Sequence, residues 1–204
     1  MKKKRIIEIT FKTKRKQLVM KQFLILTLAF ITFTTYSQDK NNYIRFNNLT
    51  EVVGTEYVIA FVQNRGKGIS AISEHLLFIN TNTGDTNRIN FSEGANIGKP
   101  EQVKIDNLGI NLIIISGRTI DLDEKSGITW NDPKQIIVIS PDGKEKTQLT
   151  DDKFFVSTYT VNKKTGTIVI SGHNDTNGNN KYDKTDKSEI YIYDLKTLKL
   201  KSKI

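Results

Sequence analysis

Residues 175–186, DTNGNNKYDKTD, place an oxygen-bearing side chain at nearly every second position. A loop that cradles a hard cation draws oxygens from positions 1, 3, 5, 7, 9 and 12, the seventh through its backbone carbonyl. Counted from Asp175, these are Asp175, Asn177, Asn179, Lys181 (by its carbonyl alone), Asp183 and Asp186. Three carboxylates and two neutral amides suit a divalent ion such as calcium. Asp186 is shorter than the Glu that closes stronger loops, and Lys181, Lys184 and Lys187 dilute the field. Weak binding is therefore expected, with a Kd on the order of 10⁻⁴–10⁻³ M. The bland alternative is a polar hairpin tip without an ion. A long structureless connection between paired strands is uncommon unless it is functional or internally organised, which favours the ion.

A second stretch, DLDEKSGITWND at 121–132, puts Asp121, Asp123, Thr129 and Asp132 at positions 1, 3, 9 and 12 of the same count. Position 5 is Lys125, a cation where a ligand belongs, so this loop reads as a degenerate copy that no longer binds. Asp121, Asp123 and Glu124 also hold the carboxylates from which a glycosidase pair would be drawn. Clustered acids in one loop are more often solvated or metal-facing. No G-x-S-x-G occurs and no cysteine exists, so no nucleophile motif is present and no catalytic residue is assigned. Trp130, the sole tryptophan, sits in the polar stretch GITWNDP, where an indole stacks on a ligand or anchors the loop. His173 lies at the mouth of the third loop. Trp130 and His173 are the candidate ligand-binding residues.

The elements that carry these loops repeat. YVIAFVQN (57–64), NLIIISGR (111–118) and TIVISGHN (167–174) align, each preceded by a glycine turn at Gly54, Gly109 or Gly166. A second series follows: LLFINTNTGDTNRI (76–89), IIVISPDGKEKTQL (136–149) and IYIYDLKTLKLKSKI (190–204). Runs rich in Ile, Val, Phe and Tyr, broken by Gly, Asn and Asp, are strand signals, and helical periodicity is absent. The expected fold is all-β, in tandem four-stranded antiparallel units at about 43–92, 98–150 and 154–204. In each, the nearly all-apolar first-series strand is expected to be buried on both faces.

These units resemble the blades of TolB-like, WD40-like bacterial β-propellers, through TIVISG followed by IYIYDLKTLK, and through IIVISPDGKEKTQLT. The resemblance spans 43–204 and implies a propeller-like, incomplete arrangement of about three blades. Closed propellers need at least four. The expectation is therefore a partial propeller that associates with itself or belongs to a larger one, with an irregular β-sandwich as the alternative. The third loop is similar to the dockerin or EF-hand type of calcium loop in its DxNGxxxYDxxD pattern, with Gly178 at position 4. It departs in having Asn179 where Asp is usual and no flanking helices, so only the coordination chemistry carries over.

Charge and leader bound the rest. The net charge of +9 sits almost entirely in residues 1–37, which hold nine Lys/Arg against the single acid Glu8. The remaining 22 basic and 21 acidic residues leave no basic groove for nucleic acid. The apolar run FLILTLAFITF (23–33), with Thr35 and Ser37 flanking Tyr36, reads as a secretory signal cut after Ser37. Eleven residues are too few to anchor the chain across a membrane. The long n-region leaves both Met1 and Met20 open as the start. Without cysteine there is neither disulfide nor lipid anchor, and the domain at 38–204 must be held by its core. Together these features describe a secreted or periplasmic, non-enzymatic β-repeat binding or scaffold protein with one structural calcium loop. A protein or glycan partner would dock on the loop rim. The rivals are a fragment of a larger propeller sensor with a vestigial metal site and a carboxylate-dependent hydrolase.

Overall fold

The computed structural model describes residues 43–65, 73–125 and 127–204. The leader and signal read at 1–37 lie outside the described residues. Thirteen strands form three antiparallel sheets. The first takes β1 (Tyr43–Glu51), β2 (Tyr57–Arg65), β3 (Ser73–Asn80) and β4 (Thr86–Asn90) in that order. In the second, β5 (Asn96–Ile97) and β6 (Glu101–Ile105) share one edge of β7 (Ile110–Arg118). β8 (Gln135–Ile139) and β9 (Lys146–Gln148) follow. The third runs β10 (Phe154–Asn162), β11 (Thr167–Asn174), β12 (Lys187–Asp194) and β13 (Lys199–Lys203). No α-helix occurs among the described residues. Nor is any helix there long and apolar enough to cross a membrane.

Each sheet contains a hairpin (β1–β2, β6–β7 or β10–β11) whose turn glycine, Gly54, Gly109 or Gly166, has a φ of 81, 64 or 65°. A side chain there would be strained, which is why these turns recur with glycine.

Two cores hold the sheets together, and the middle sheet supplies both. Successive strand residues point to opposite faces. Ile113 and Ile115 of β7 and Ile137 and Ile139 of β8 therefore pack with Ile59, Leu76 and Phe78 of the first sheet. Ile114, Ile136 and Val138, one position out of phase, pack with Phe154, Ile168, Ile170 and Tyr191 of the third. A strand covered on both faces reads as a continuous apolar run, and that accounts for NLIIIS and QIIVI. All five residues of β8 are buried, more completely than the first-series strands for which double burial was expected. Buried Gln135 is satisfied, accepting from the Thr119 N–H and hydroxyl and donating to the Pro133 carbonyl.

Polar pins cross between sheets. The Gln102 amide exchanges two hydrogen bonds with the Val53 backbone, at 2.9 and 3.0 Å. Asn87 donates to the Asp142 carbonyl at 2.8 Å. The Tyr159 hydroxyl of β10 donates to Glu101 of β6 at 3.0 Å.

Candidate functional site

The long loops at issue leave the same place in the second and third sheets. One joins β7 to β8 and the other joins β11 to β12. Each is closed by its last acid. The Asp132 carboxylate accepts from the N–H groups of Leu122 and Thr129, at 2.9 and 2.6 Å. Asp186 accepts from Thr176 and Asp183, at 3.1 and 2.9 Å. Both carboxylates are buried. In addition, the backbone N–H of each donates 3.3 Å to the carbonyl three residues earlier.

The third loop arranges its oxygens around backbone donors. Asp175 accepts from the N–H groups of Asn179 and Asn180, at 3.0 and 2.9 Å. Asn177 Oδ1 accepts from the Asn179 N–H, and Asn179 Oδ1 from the Lys181 N–H. Asp183 is the hub. Its Oδ1 takes the hydroxyl and N–H of Thr185, at 2.6 and 2.7 Å. Its Oδ2 takes the side-chain amides of Asn177 and Asn179, at 2.9 and 2.7 Å. The Thr185 hydrogen bonds, joined by the two amides, hold the Asp183 carboxyl well below the usual carboxylate range. Thus the six candidate donors form one hydrogen-bonded tip.

The second loop, read from sequence as a degenerate copy, brings its acids together. One carboxylate oxygen each from Asp121, Asp123 and Asp132 lie within 4.8 Å of one another. Among the described residues this is the one such acidic group that could hold a metal ion. Lys125, expected to point into the site, is exposed and forms no ion pair there. Its backbone N–H instead donates to Asp123 at 3.2 Å, and the Gly127 N–H to Asp121 Oδ2 at 2.9 Å. The other Asp121 oxygen, Oδ1, is buried with no hydrogen-bond partner. An orphaned carboxylate oxygen beside two more carboxylates is a donor set that fits a hard cation.

Between the two loops lies a cleft of about 550 Å³. Trp130 and Asn131 of the second loop form one wall; Lys181 and Tyr182 of the third form another. Both candidate ligand-binding residues therefore line one space. Trp130 is 80% exposed, so its indole face is open rather than packed. The His173 and Phe155 ring centroids stand 4.7 and 6.2 Å from that of Tyr182. Arg118, Lys134, Tyr182 and Ser157 also line the cleft and were not singled out from sequence. They come from separate segments that only the stacking of sheets brings together.

An all-β chain of three antiparallel sheets, bearing two like loops on either side of a cleft, is what the fold and site define. No family model matches the sequence, and no curated protein matches it. Among solved structures, the chain is similar to an acylaminoacyl peptidase from Pyrococcus horikoshii in an orthorhombic crystal form, with a TM-score of 0.44 and 9% identity. The match covers 79% of this chain and 25% of the peptidase, so the chain spans about a quarter of that protein's length. A likeness at this level says nothing about activity.

Proposed function

We propose that the chain is an exported, non-enzymatic binding scaffold with a propeller-like stack of units, in which calcium-holding loops shape a ligand cleft on the rim. The observation that carries this reading is the convergence of two like-built loops on one cleft. The stack of sheets with a doubly covered middle member supports the propeller-like part. The convergence of three carboxylates in the second loop supports the ion there. Asp175, Asp183 and Asp186 do not converge within 4.8 Å of one another, so the third loop rests on its residue types alone. Asp121, Asp123 and Asp132 would hold it in the second loop. In the third, Asp175, Asn177, Asn179, the Lys181 carbonyl, Asp183 and Asp186 would do so. Bound calcium would fix the loops without taking part in chemistry.

The rival of a vestigial site also has an observation behind it. In the third loop, backbone and amide N–H groups already satisfy the carboxylates without an ion. Thermal unfolding in millimolar calcium and then in chelator separates the two readings. A bound ion raises the midpoint by mass action, by about 1.4 kcal/mol at a tenfold excess over Kd. An unchanged midpoint would leave a scaffold with vestigial loops.

A further inference from the structure

We propose that the cleft between the second and third units binds an acidic saccharide, a short run of uronate-type sugars. This rests on the reading of the cleft as a ligand site and names what enters it. Three cations, Arg118, Lys134 and Lys181, line the space, and none is in an ion pair. Arg118 is aimed by a hydrogen bond from its Nε to the Asp132 carbonyl at 2.9 Å, which leaves its terminal nitrogens uncommitted. The one carboxylate on the wall, Asp132, is turned to the backbone N–H groups of Leu122 and Thr129. The cleft thus presents unanswered positive charge although the chain beyond residue 37 is close to neutral.

Charge alone would suit any anion. The rest of the wall narrows the choice. Trp130 offers an exposed indole face of the kind that stacks on the C–H face of a sugar ring, and Asn131 and Ser157 offer neutral hydrogen-bonding groups for hydroxyls. A peptide would draw on free backbone donors at a strand edge. Here the edge donor that lines the cleft, the Val156 N–H, is already engaged with the Lys134 carbonyl. Nucleic acid would draw on a series of aromatic faces on which successive bases stack, an alternative that the dinucleotide probe below tests directly. The volume lies within the roughly 300–1,000 Å³ of small-ligand sites.

Trp130 is the sole tryptophan, so tryptophan fluorescence, excited selectively over the tyrosines, reads this cleft alone. The full chain is titrated with trigalacturonate, its methyl ester, hexaglutamate and a dinucleotide. Expected is a saturable change with trigalacturonate that weakens as salt rises. The ester, which keeps shape and loses charge, binds at least about tenfold more weakly. Lys181→Ala and Lys134→Ala each lose about tenfold, the scale of one charge-assisted hydrogen bond. Lys184→Ala, outside the cleft, loses nothing. Equal binding of the ester overturns the selection for acid yet leaves the cleft a ligand site. Preference for hexaglutamate or the dinucleotide overturns the saccharide assignment in the same way. Silence with all four probes overturns the proposal and the cleft reading together, while the calcium test of the loops stands independently.

Discussion

Asp132 and Asp186 close their loops by the same pair of hydrogen bonds. Each accepts from the second and ninth residues of its loop, Leu122 and Thr129 in one and Thr176 and Asp183 in the other. Sequence composition around them differs: the second loop holds Trp130 and is followed by Pro133, the third is rich in Asn and Lys. The shared element is therefore the backbone path, and the closing aspartate is what fixes it. A loop closed in this way holds its walls in place before any ligand arrives, which lowers the ordering cost of binding.

Asp132→Ala and Asp186→Ala should each destabilise the chain by about 1–3 kcal/mol, because each strips two backbone donors of their acceptor at a buried site. Urea denaturation reads the loss. Mutations at Asp123, which accepts from a single exposed donor, should cost less. A neutral Asp132→Ala would mean that the loop is organised elsewhere.

The ion itself is tested by substitutions that keep shape and remove charge. Asp121→Asn should reduce the calcium-induced rise in Tm through the second loop, and Asp175→Asn through the third. The double variant should abolish it, since each loop then lacks its position-1 carboxylate. A full calcium shift in the double variant would place the ion outside both loops.

Strand structure was legible because its cause is local. Ile113 to Ile115 and Ile136 to Ile139 announce burial on two faces, and Gly109 and Gly166 announce the turns that reverse the chain. The loops were legible only in part. Counting oxygens favoured the third loop and demoted the second for Lys125, but residue type does not fix side-chain direction. The Lys125 backbone serves the site while its ammonium stays in solvent. The cleft was the least legible feature. Arg118, Lys134 and Lys181 lie far apart in sequence, and a near-neutral net charge averages them away.

His75 gives the first sheet a dependence on acid. Burial, and after it the Arg88 guanidinium, lowers the imidazole below its ordinary value of 6.5. Arg88 Nη2 stands 3.3 Å from Nδ1, which fits a neutral ring accepting a hydrogen bond. The unfolded chain then takes up a proton that the folded chain resists, so stability is full above pH 6.5 and falls as the pH drops below it. Urea midpoints at pH 7.5 and about 5.5 should differ in that direction. His75→Gln should flatten the slope over the same window. An unchanged slope would assign the effect to carboxylates instead.

Gly143 sets how closely the second sheet approaches the first. Its φ is 71°, and a Cβ built there would lie 2.4 Å from the Phe78 ring, a fully buried side chain. Gly143→Ala therefore combines backbone strain with overpacking and should cost about 2–4 kcal/mol. Gly84→Ala has a similar φ of 80° but meets nothing within 4 Å. It should cost about 1 kcal/mol, the backbone part alone. Similar losses at the two positions would show that Phe78 gives way easily, and would weaken the case for a tightly packed seam.

Tyr159 and Tyr193 tie the third sheet to the alkaline limit of the fold. Burial raises both hydroxyls, and the charge of Glu101 adds to it at Tyr159, as that of Asp151 does at Tyr193; each is pushed up to about 12. The ordinary phenol value is 10, so above pH 10 the unfolded chain sheds protons that the folded chain keeps. Stability is therefore whole below pH 10 and declines as the pH climbs toward 12. Both should appear late in a phenolate absorbance titration, together with loss of sheet signal. Tyr159→Phe separates the two roles of that residue. At neutral pH it should cost about 1 kcal/mol, through loss of the hydrogen bond to Glu101 that joins β10 to β6. At high pH it should make the chain more resistant than before, because one ionisation that drives unfolding has gone. A variant weakened equally at both pH values would mean that the hydroxyl only pins the sheets and that alkaline unfolding starts at Tyr193.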